Sequence, residues 1–360
     1  MNLLNRYIFS QFMKNILMIM AGFISIYMLI DFFEKIDNFN EAHKPMGLVV
    51  KFFLMNIPFI LDQLGPICIL LAGIVTLGLL NHNNELIALK ASGIPLTKIV
   101  APILGGGVFF TLLFLLMAQF VLPRTISVTN RIWNEEVRNM VPLGIYRNGR
   151  YYYRGGDGFY SFARPDPNKN IFVNFSYSDW NEEKNLSRLV HAKLAEWKNN
   201  QWGLHYGQIQ ELGEDGDYTT RIFKHKIFSF AEEPKNFFVP EYYSRELSLV
   251  GLYQEVQRSR DPESRVKSLA EFYGRFSYIL LGLPLLIIGL PLLLVSYRRW
   301  GRDLSVAIPA SCGLAFGCWG IWGALQSLAK AGYIHPLPAA FTMHLLIGLS
   351  GAFLLWRENR

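Results

Sequence analysis

Six long apolar segments constrain this chain more than any other feature: three precede a polar stretch of roughly 145 residues, and three follow it. They cover about 12–33, 52–80 and 99–122, then 272–296, 304–328 and 334–356. Each is near or above the roughly 20 residues that a helix needs to cross a bilayer. The chain therefore reads as an integral membrane protein with a soluble domain inserted between two helical halves. The expected boundaries are 1–123 and 269–360 for the membrane halves and 124–268 for the insert.

Charge sorts with this division. From 124 to 265, 20 Lys and Arg face 19 Asp and Glu, so the insert is nearly neutral. The remaining 15 basic and 9 acidic residues carry +6 of the formal +7. The excess belongs to the membrane part, where it reports orientation, and implies no nucleic-acid partner. Basic residues collect at Arg6, at Lys90 and Lys98, at Arg298, Arg299 and Arg302, and at Arg357 and Arg360, all of which six spans place on one side. The loop after the first span instead carries Asp31, Glu34, Asp37 and Glu41 beside Lys35 and Lys44, and the loop after the fifth has only Lys330 and His335. Positive loops stay in the cytoplasm, so both termini are expected inside and the insert outside. The first apolar stretch is too long for a cleavable signal peptide and lacks a small-residue cleavage site.

Cys68, Cys312 and Cys318 all lie in apolar spans, which leaves the insert without a disulfide framework or a cysteine metal site. Its core reads as β-structure instead. Apolar and polar residues alternate over Ile171–Tyr177, Trp202–Ile209 and Arg221–Phe230. Turn clusters separate such runs at Gly155–Gly158, Arg164–Asn168, Lys198–Asn200 and Gly213–Asp217. The expectation is an all-β antiparallel sandwich, jelly-roll or partly open barrel, acting either as a spacer or docking module or as a lipid-holding groove. Phosphate-loop, H-E-x-x-H and G-x-S-x-G motifs are missing from the sequence, and seven histidines are scattered. If energy is used, another polypeptide supplies the catalytic site.

The segment Asn84–Pro95 carries the sharpest functional signal. Leu86, Leu89 and Lys90 fall at helical spacing, Glu85 suits the N-terminal dipole, Gly93 suits the C′ position, and Pro95 stops the helix just beyond. An ordinary connecting helix fits these residues. So does a coupling helix that presents a carboxylate and apolar anchors to a cytoplasmic motor.

The Leu4-x-Arg6-Tyr7-Ile8 opening, the Glu85-Leu86-x-Ala88-x-x-Ala91-x-Gly93 segment, the β insert and the stretch from Glu246-Leu247 to Gly289-Leu290-Pro291 resemble the LptF/LptG family of lipopolysaccharide-export permeases over essentially the whole chain, with the opening leaning toward the LptG branch. The resemblance implies a multi-pass, non-catalytic subunit in the inner membrane of a Gram-negative bacterium. It also implies a homologous second permease, a cytoplasmic ABC ATPase dimer that binds ATP and Mg, and a single-span protein leading to a periplasmic jelly-roll bridge. No cofactor or metal is expected in this chain. Glu85, with Leu86, Leu89 and Gly93 around it, matches the family's ATPase-coupling position.

A multiply anionic headgroup calls for cations at the outer mouth. Arg124, Arg131 and Arg138 recur every seven residues, which on one helix keeps them on one face with about 20° of drift per repeat. Arg265 and Arg275 approach the same depth, and arginine matches phosphate through its bidentate fork. Pairing with Glu135, Glu136 or bilayer phosphates is the plainer alternative. Where LptG-type chains place a lysine near the outer end of the first span this chain has Asp31, with Lys35 one turn further out as the substitute cation. Gly313, Gly317, Gly320 and Ala324 make a small-residue face on the fifth span beside Trp319 and Trp322. By resemblance that face packs against the first span of the partner permease to form a lateral gate for lipid, with Phe32 of this chain's first span a further gate candidate; packing within the subunit is the alternative. Gly282-Leu283-Pro284 and Gly289-Leu290-Pro291 predict two bends in the fourth span. Asp62 is read as a cavity-facing or interfacial acid, and His344 as a helix–helix hydrogen bond. Two other classes compete with a permease: a membrane lipid-modifying enzyme and an envelope scaffold.

Overall fold

The apolar segments fold as helices that outrun their hydropathy. α1 spans Leu3–Glu41, α2 Met46–His82, the short α3 Glu85–Ala91, α4 Leu96–Phe120 and α5 Leu122–Asn130. A wide-turned π-helical segment, Arg131–Val137, continues α5. After the insert come α6 (Leu249–Arg258), α7 (Pro262–Leu280), α8 (Gly282–Trp300), α9 (Leu304–Lys330) and α10 (Pro336–Glu358). Among the described residues six stretches are long and apolar enough to cross a membrane, the fourth being Arg265–Tyr297 across α7 and α8. The structure is a computed structural model describing residues 3–138, 145–147, 150–155, 158–163, 171–180, 186–198, 201–213, 217–230, 232–237, 246–258, 262–300 and 304–359.

Two units emerge: Met1–Arg138 with Tyr243–Gln257 and Pro262–Arg360, and Asn139–Tyr242 with Arg258–Asp261. The insert is therefore narrower than the 124–268 read from polarity. Leu122, Ile126, Thr129, Ile132 and Val137 are buried at steps of three to five residues and hold the polar continuation of α4 to the helical unit.

Within the helical unit α2 is the axis, with 72% of its membrane window buried inside the chain against 17% for α1 and for α9. Polar side chains tie the layers together, as expected where hydrocarbon offers no competing partner. Asn15 Nδ2 of α1 donates to Thr76 Oγ1 of α2 at 2.8 Å. Ser277 of α7 gathers two neighbours: Trp322 Nε1 of α9 donates to its hydroxyl at 3.1 Å, and His344 Nε2 of α10 donates to its carbonyl at 2.7 Å. His344 thus makes the expected helix–helix bond. Of the two predicted bends in the fourth span, the first becomes the break at Leu281, while α8 runs through Pro291 uninterrupted. Further along, α10 lies against the α8 main chain: a Cβ added at Gly351 would sit 2.6 Å from Ile288 N.

The second unit is one antiparallel sheet: β1 (Ile145–Arg147), β2 (Arg150–Arg154), β3 (Phe159–Ala163), β4 (Ile171–Trp180), β5 (Leu186–Lys198), β6 (Gln201–Leu212) and β7 (Tyr218–Phe228), each paired with the next. Among the described strands this is a meander and not the Greek-key order of a jelly roll, because the predicted turns join sequence neighbours directly. Gly155 N donates to Gly158 O and Gly213 N to Asp217 O, both at 2.8 Å. Gly156, Asp157, the Arg164–Asn168 cluster, Asn199, Asn200 and Glu214–Gly216 lie outside the described residues.

One face of the sheet is filled by its own aromatic side chains. Tyr160, Phe162, Phe172, Phe175 and Trp202 are almost wholly buried. Phe237, after β7, returns over them with ring centroids 4.9 Å from Phe162 and 5.6 Å from Trp202. Such pairs each contribute about 0.5–1.5 kcal/mol beyond area burial. The pairing register omits one residue on each of four successive strands, Asn174, Lys193, Tyr206 and Lys224, which lie opposite one another in a line. Asn174 and Tyr206 take positive φ there, 52° and 54°. The inward set changes parity across the line, from Phe172 to Phe175 on β4 and from Ala192 to Ala195 on β5.

Candidate functional site

Two clusters occupy opposite ends of α1. At the first, α3 closes as its sequence predicts: Gly93 has φ +78°, its N–H donates to Lys90 O at 3.0 Å, and Ile94 N donates to Leu89 O at 3.1 Å. This is a Schellman cap, with Leu89 and Ile94 both packed on the helical core. Glu85 opens the helix half-buried. Its Oε2 accepts from Tyr7 Oη at 3.0 Å and its Oε1 from Asn83 Nδ2 at 3.4 Å. Leu86 turns inward, 2% exposed, so the large apolar residue that α3 turns outward is Ile87 at 42%. Arg298, Arg299 and Arg302 of the predicted basic loop, and Arg360, have side chains outside the described residues.

At the other end Asp31 is buried and pairs with Lys35 one turn on, while Asn56 Nδ2 of α2 donates to its second oxygen at 3.2 Å. Lys35 Nζ also lies 5.5 Å from the Trp133 ring centre, and the Arg138 guanidinium lies 5.0 Å from the same ring. Trp133 is thereby a shared platform for two cations, backed by Phe39 at 5.8 Å and Phe52 at 5.9 Å. The π-helical turn makes this possible: Arg138 N donates to Trp133 O, five residues back, at 3.0 Å.

That turn corrects the seven-residue reading. Arg124 and Arg131 share an exposed face, but the wider turns put Arg138 out of phase with them and onto Trp133. Arg275 is turned into the unit, where its Nη1 donates to Leu247 O at 2.6 Å, and it lies close enough to Asp62 for the two charges to interact. Tyr278 Oη donates to the neighbouring Gln63 carbonyl. Arg265 is exposed, and the Glu135 side chain lies outside the described residues.

On α9, a Cβ added at Gly313, Gly317 or Gly320 meets nothing within 4 Å, so nothing described in this chain packs on that stripe. Trp319 is 51% exposed, whereas Trp322 is tied inward to Ser277 and lies tilted against Tyr278, ring centroids 5.2 Å apart. Phe32 is half-buried, its ring 5.5 Å from Phe53. Among the described residues no group of three or more His, Cys, Asp or Glu is placed to hold a metal ion.

A helical membrane unit of this plan, with an inserted β meander, matches one family over nearly its full length. The sequence model of the lipopolysaccharide export system permease LptF/LptG covers residues 6–357. The chain belongs to the LptF/LptG family. It is a non-catalytic permease subunit of the lipopolysaccharide transport system, and its long apolar helices fit a multi-pass inner-membrane protein. No curated protein sequence matches the chain. Against the LptF/LptG expectation, the reading from sequence missed Tyr7 as a partner of Glu85, and Asn56 and Trp133 beside Lys35. Trp133 stands five residues before Arg138, a spacing that only a wide turn brings into contact.

Proposed function

We propose that this permease extracts lipopolysaccharide from the inner membrane, powered by a separate cytoplasmic ATPase dimer that binds ATP and Mg. In this reading a homologous second permease completes the cavity, and a single-span protein links it to the periplasmic bridge. The chain is of the LptG-like branch. Its α3 end faces the cytoplasm and its β unit the periplasm, consistent with the basic residues Arg6, Lys90 and Lys98.

The observation that carries the reading is the pair of clusters at the two ends of α1. Glu85 stands at the start of a tightly capped seven-residue helix, suited to a basic pocket on the motor. Lys35 and Arg138 share Trp133 at the far end, suited to headgroup phosphates. Work is needed between them, because exposing acyl chains costs about 0.8 kcal/mol per methylene. The open stripe Gly313, Gly317, Gly320 with Trp319 supports a lateral gate in which the first span of the second permease approaches α9, while Phe32 on this chain's own first span serves the matching gate. The β face filled by its own rings supports docking of the bridge in preference to storage of acyl chains.

Glu85→Lys tests the motor end. The variant should insert at wild-type level yet fail to retain the ATPase on co-purification and fail to export. Normal ATPase retention with normal export would overturn the coupling assignment.

A further inference from the structure

We infer that Tyr7 is a positioning residue that transmits motor docking to the first span by holding the carboxylate of Glu85. The inference rests on reading Glu85 as the motor contact. Tyr7 lies in the second turn of α1, 78 positions before Glu85, and its hydroxyl reaches Oε2 at 3.0 Å. Beneath that bond Leu86 is buried in the same apolar cluster as Ile8, with Leu4 packed against it, so α3 and the start of α1 share a footing as well as a hydrogen bond. On the other flank of the loop Thr97 N donates to Asn359 Oδ1 at 3.2 Å, which fixes the first turn of α4 to the end of α10. The coupling helix is thus bracketed by the two ends of the chain.

What makes the Tyr7 tie consequential is the element it belongs to. α1 is a continuous helix of 39 residues without proline. At about 1.5 Å per residue it is roughly 58 Å long. Its near end holds Glu85, and its far end carries Asp31, Lys35 and the contact with Trp133. An ionised carboxylate offers about four acceptor positions, so Glu85 accepts from Tyr7 and from a cationic group of the motor at once. Displacement of α3 by the motor then draws on Tyr7 and tilts α1. The same rod carries a change at the headgroup end back to the motor.

The test uses the assembled complex of both permeases and the ATPase, with purified lipopolysaccharide as the stimulating ligand. Tyr7→Phe removes the hydroxyl alone. It should leave complex yield and melting temperature at wild-type values while lowering the ratio of lipopolysaccharide-stimulated to basal ATP hydrolysis by about three- to tenfold. In a Glu85→Ala background, which deletes the acceptor, the same substitution should add no further loss. An unchanged ratio in Tyr7→Phe, with Glu85→Ala impaired, overturns the inference and leaves the coupling reading standing. Lowered yield or melting temperature, or an equal further loss in the Glu85→Ala background, assigns Tyr7 a merely structural role and also overturns it. Wild-type assembly and stimulation in Glu85→Ala overturn the coupling reading itself, and the inference with it.

Discussion

Replacing Asp31 by Asn keeps the shape of a buried side chain and deletes the charge that Lys35 faces. At an effective dielectric of about 20, two unit charges about 4 Å apart attract by about 4 kcal/mol, an upper bound before desolvation is counted. The Asp31 and Lys35 side chains are 8% and 21% exposed, placing the pair between exposed pairs worth about 0–1 kcal/mol and buried pairs whose disruption costs about 3–5 kcal/mol. A net internal competition of about 1–2 kcal/mol follows. Any phosphate that binds Lys35 must overcome it. Asp31→Asn should therefore tighten lipopolysaccharide binding by about 5- to 30-fold. Asn56 donates to Asp31 and retains the amide oxygen of the new residue as acceptor, so the fold should hold. Titration of labelled lipopolysaccharide into the purified protein at two salt concentrations measures the effect, and a steeper salt dependence should accompany it. Lys35→Gln is the opposing arm and should weaken binding. Unchanged or weaker binding in Asp31→Asn would refute the claim that the carboxylate competes with the lipid for Lys35.

Two further predictions concern stability. Gly351→Ala forces a methyl within 2.6 Å of Ile288 N and 2.7 Å of Ile288 Cα, main-chain atoms that cannot rotate away, and should destabilise by about 1–3 kcal/mol; Gly22→Ala, with nothing within 4 Å of its Cβ, is the control and should leave the melting temperature equal or raised. In the β unit, burial first and the Arg150 guanidinium second hold His191 below its ordinary value of 6.5, while its Nδ1 lies 2.8 Å from Ser176 Oγ. The unfolded chain then binds the proton more readily, so this contribution is full above about pH 6.5 and is lost as pH falls through the folded value. Thermal unfolding at pH 7.5 and 5.5 should show a drop that His191→Gln diminishes; an undiminished drop would count against His191 as its source.

How far the sequence could be read depended on the kind of signal. The six spans were legible because apolar length needs no knowledge of packing. The end of α3 was legible because a left-handed C′ residue calls for glycine, and Gly93 is there. Leu86 and Ile87 were not separable, since both faces of a short helix beside a membrane core are apolar and only the fold chooses between them. β5 escaped notice for two reasons: Ala192-Lys193-Leu194-Ala195-Glu196 favours helix, and the parity change at Lys193 breaks the two-residue alternation that marks a strand. Arg138 was put on the wrong face because a π-turn has no residue signature and shifts everything after it.

The line of unpaired residues at Asn174, Lys193, Tyr206 and Lys224 has a consequence for how the sheet finds its register. A strand that slips by one residue exposes its aromatics and is rejected at once, but a slip by two restores every side chain to its proper face. Alternation alone therefore cannot police the two-residue error. Here such a slip would carry the left-handed Asn174 or Tyr206 out of step with the neighbouring strands, opening good pairs and forcing poor ones. The shared defect works as an alignment mark, guarding the meander against the one misthreading that hydrophobic patterning leaves cheap.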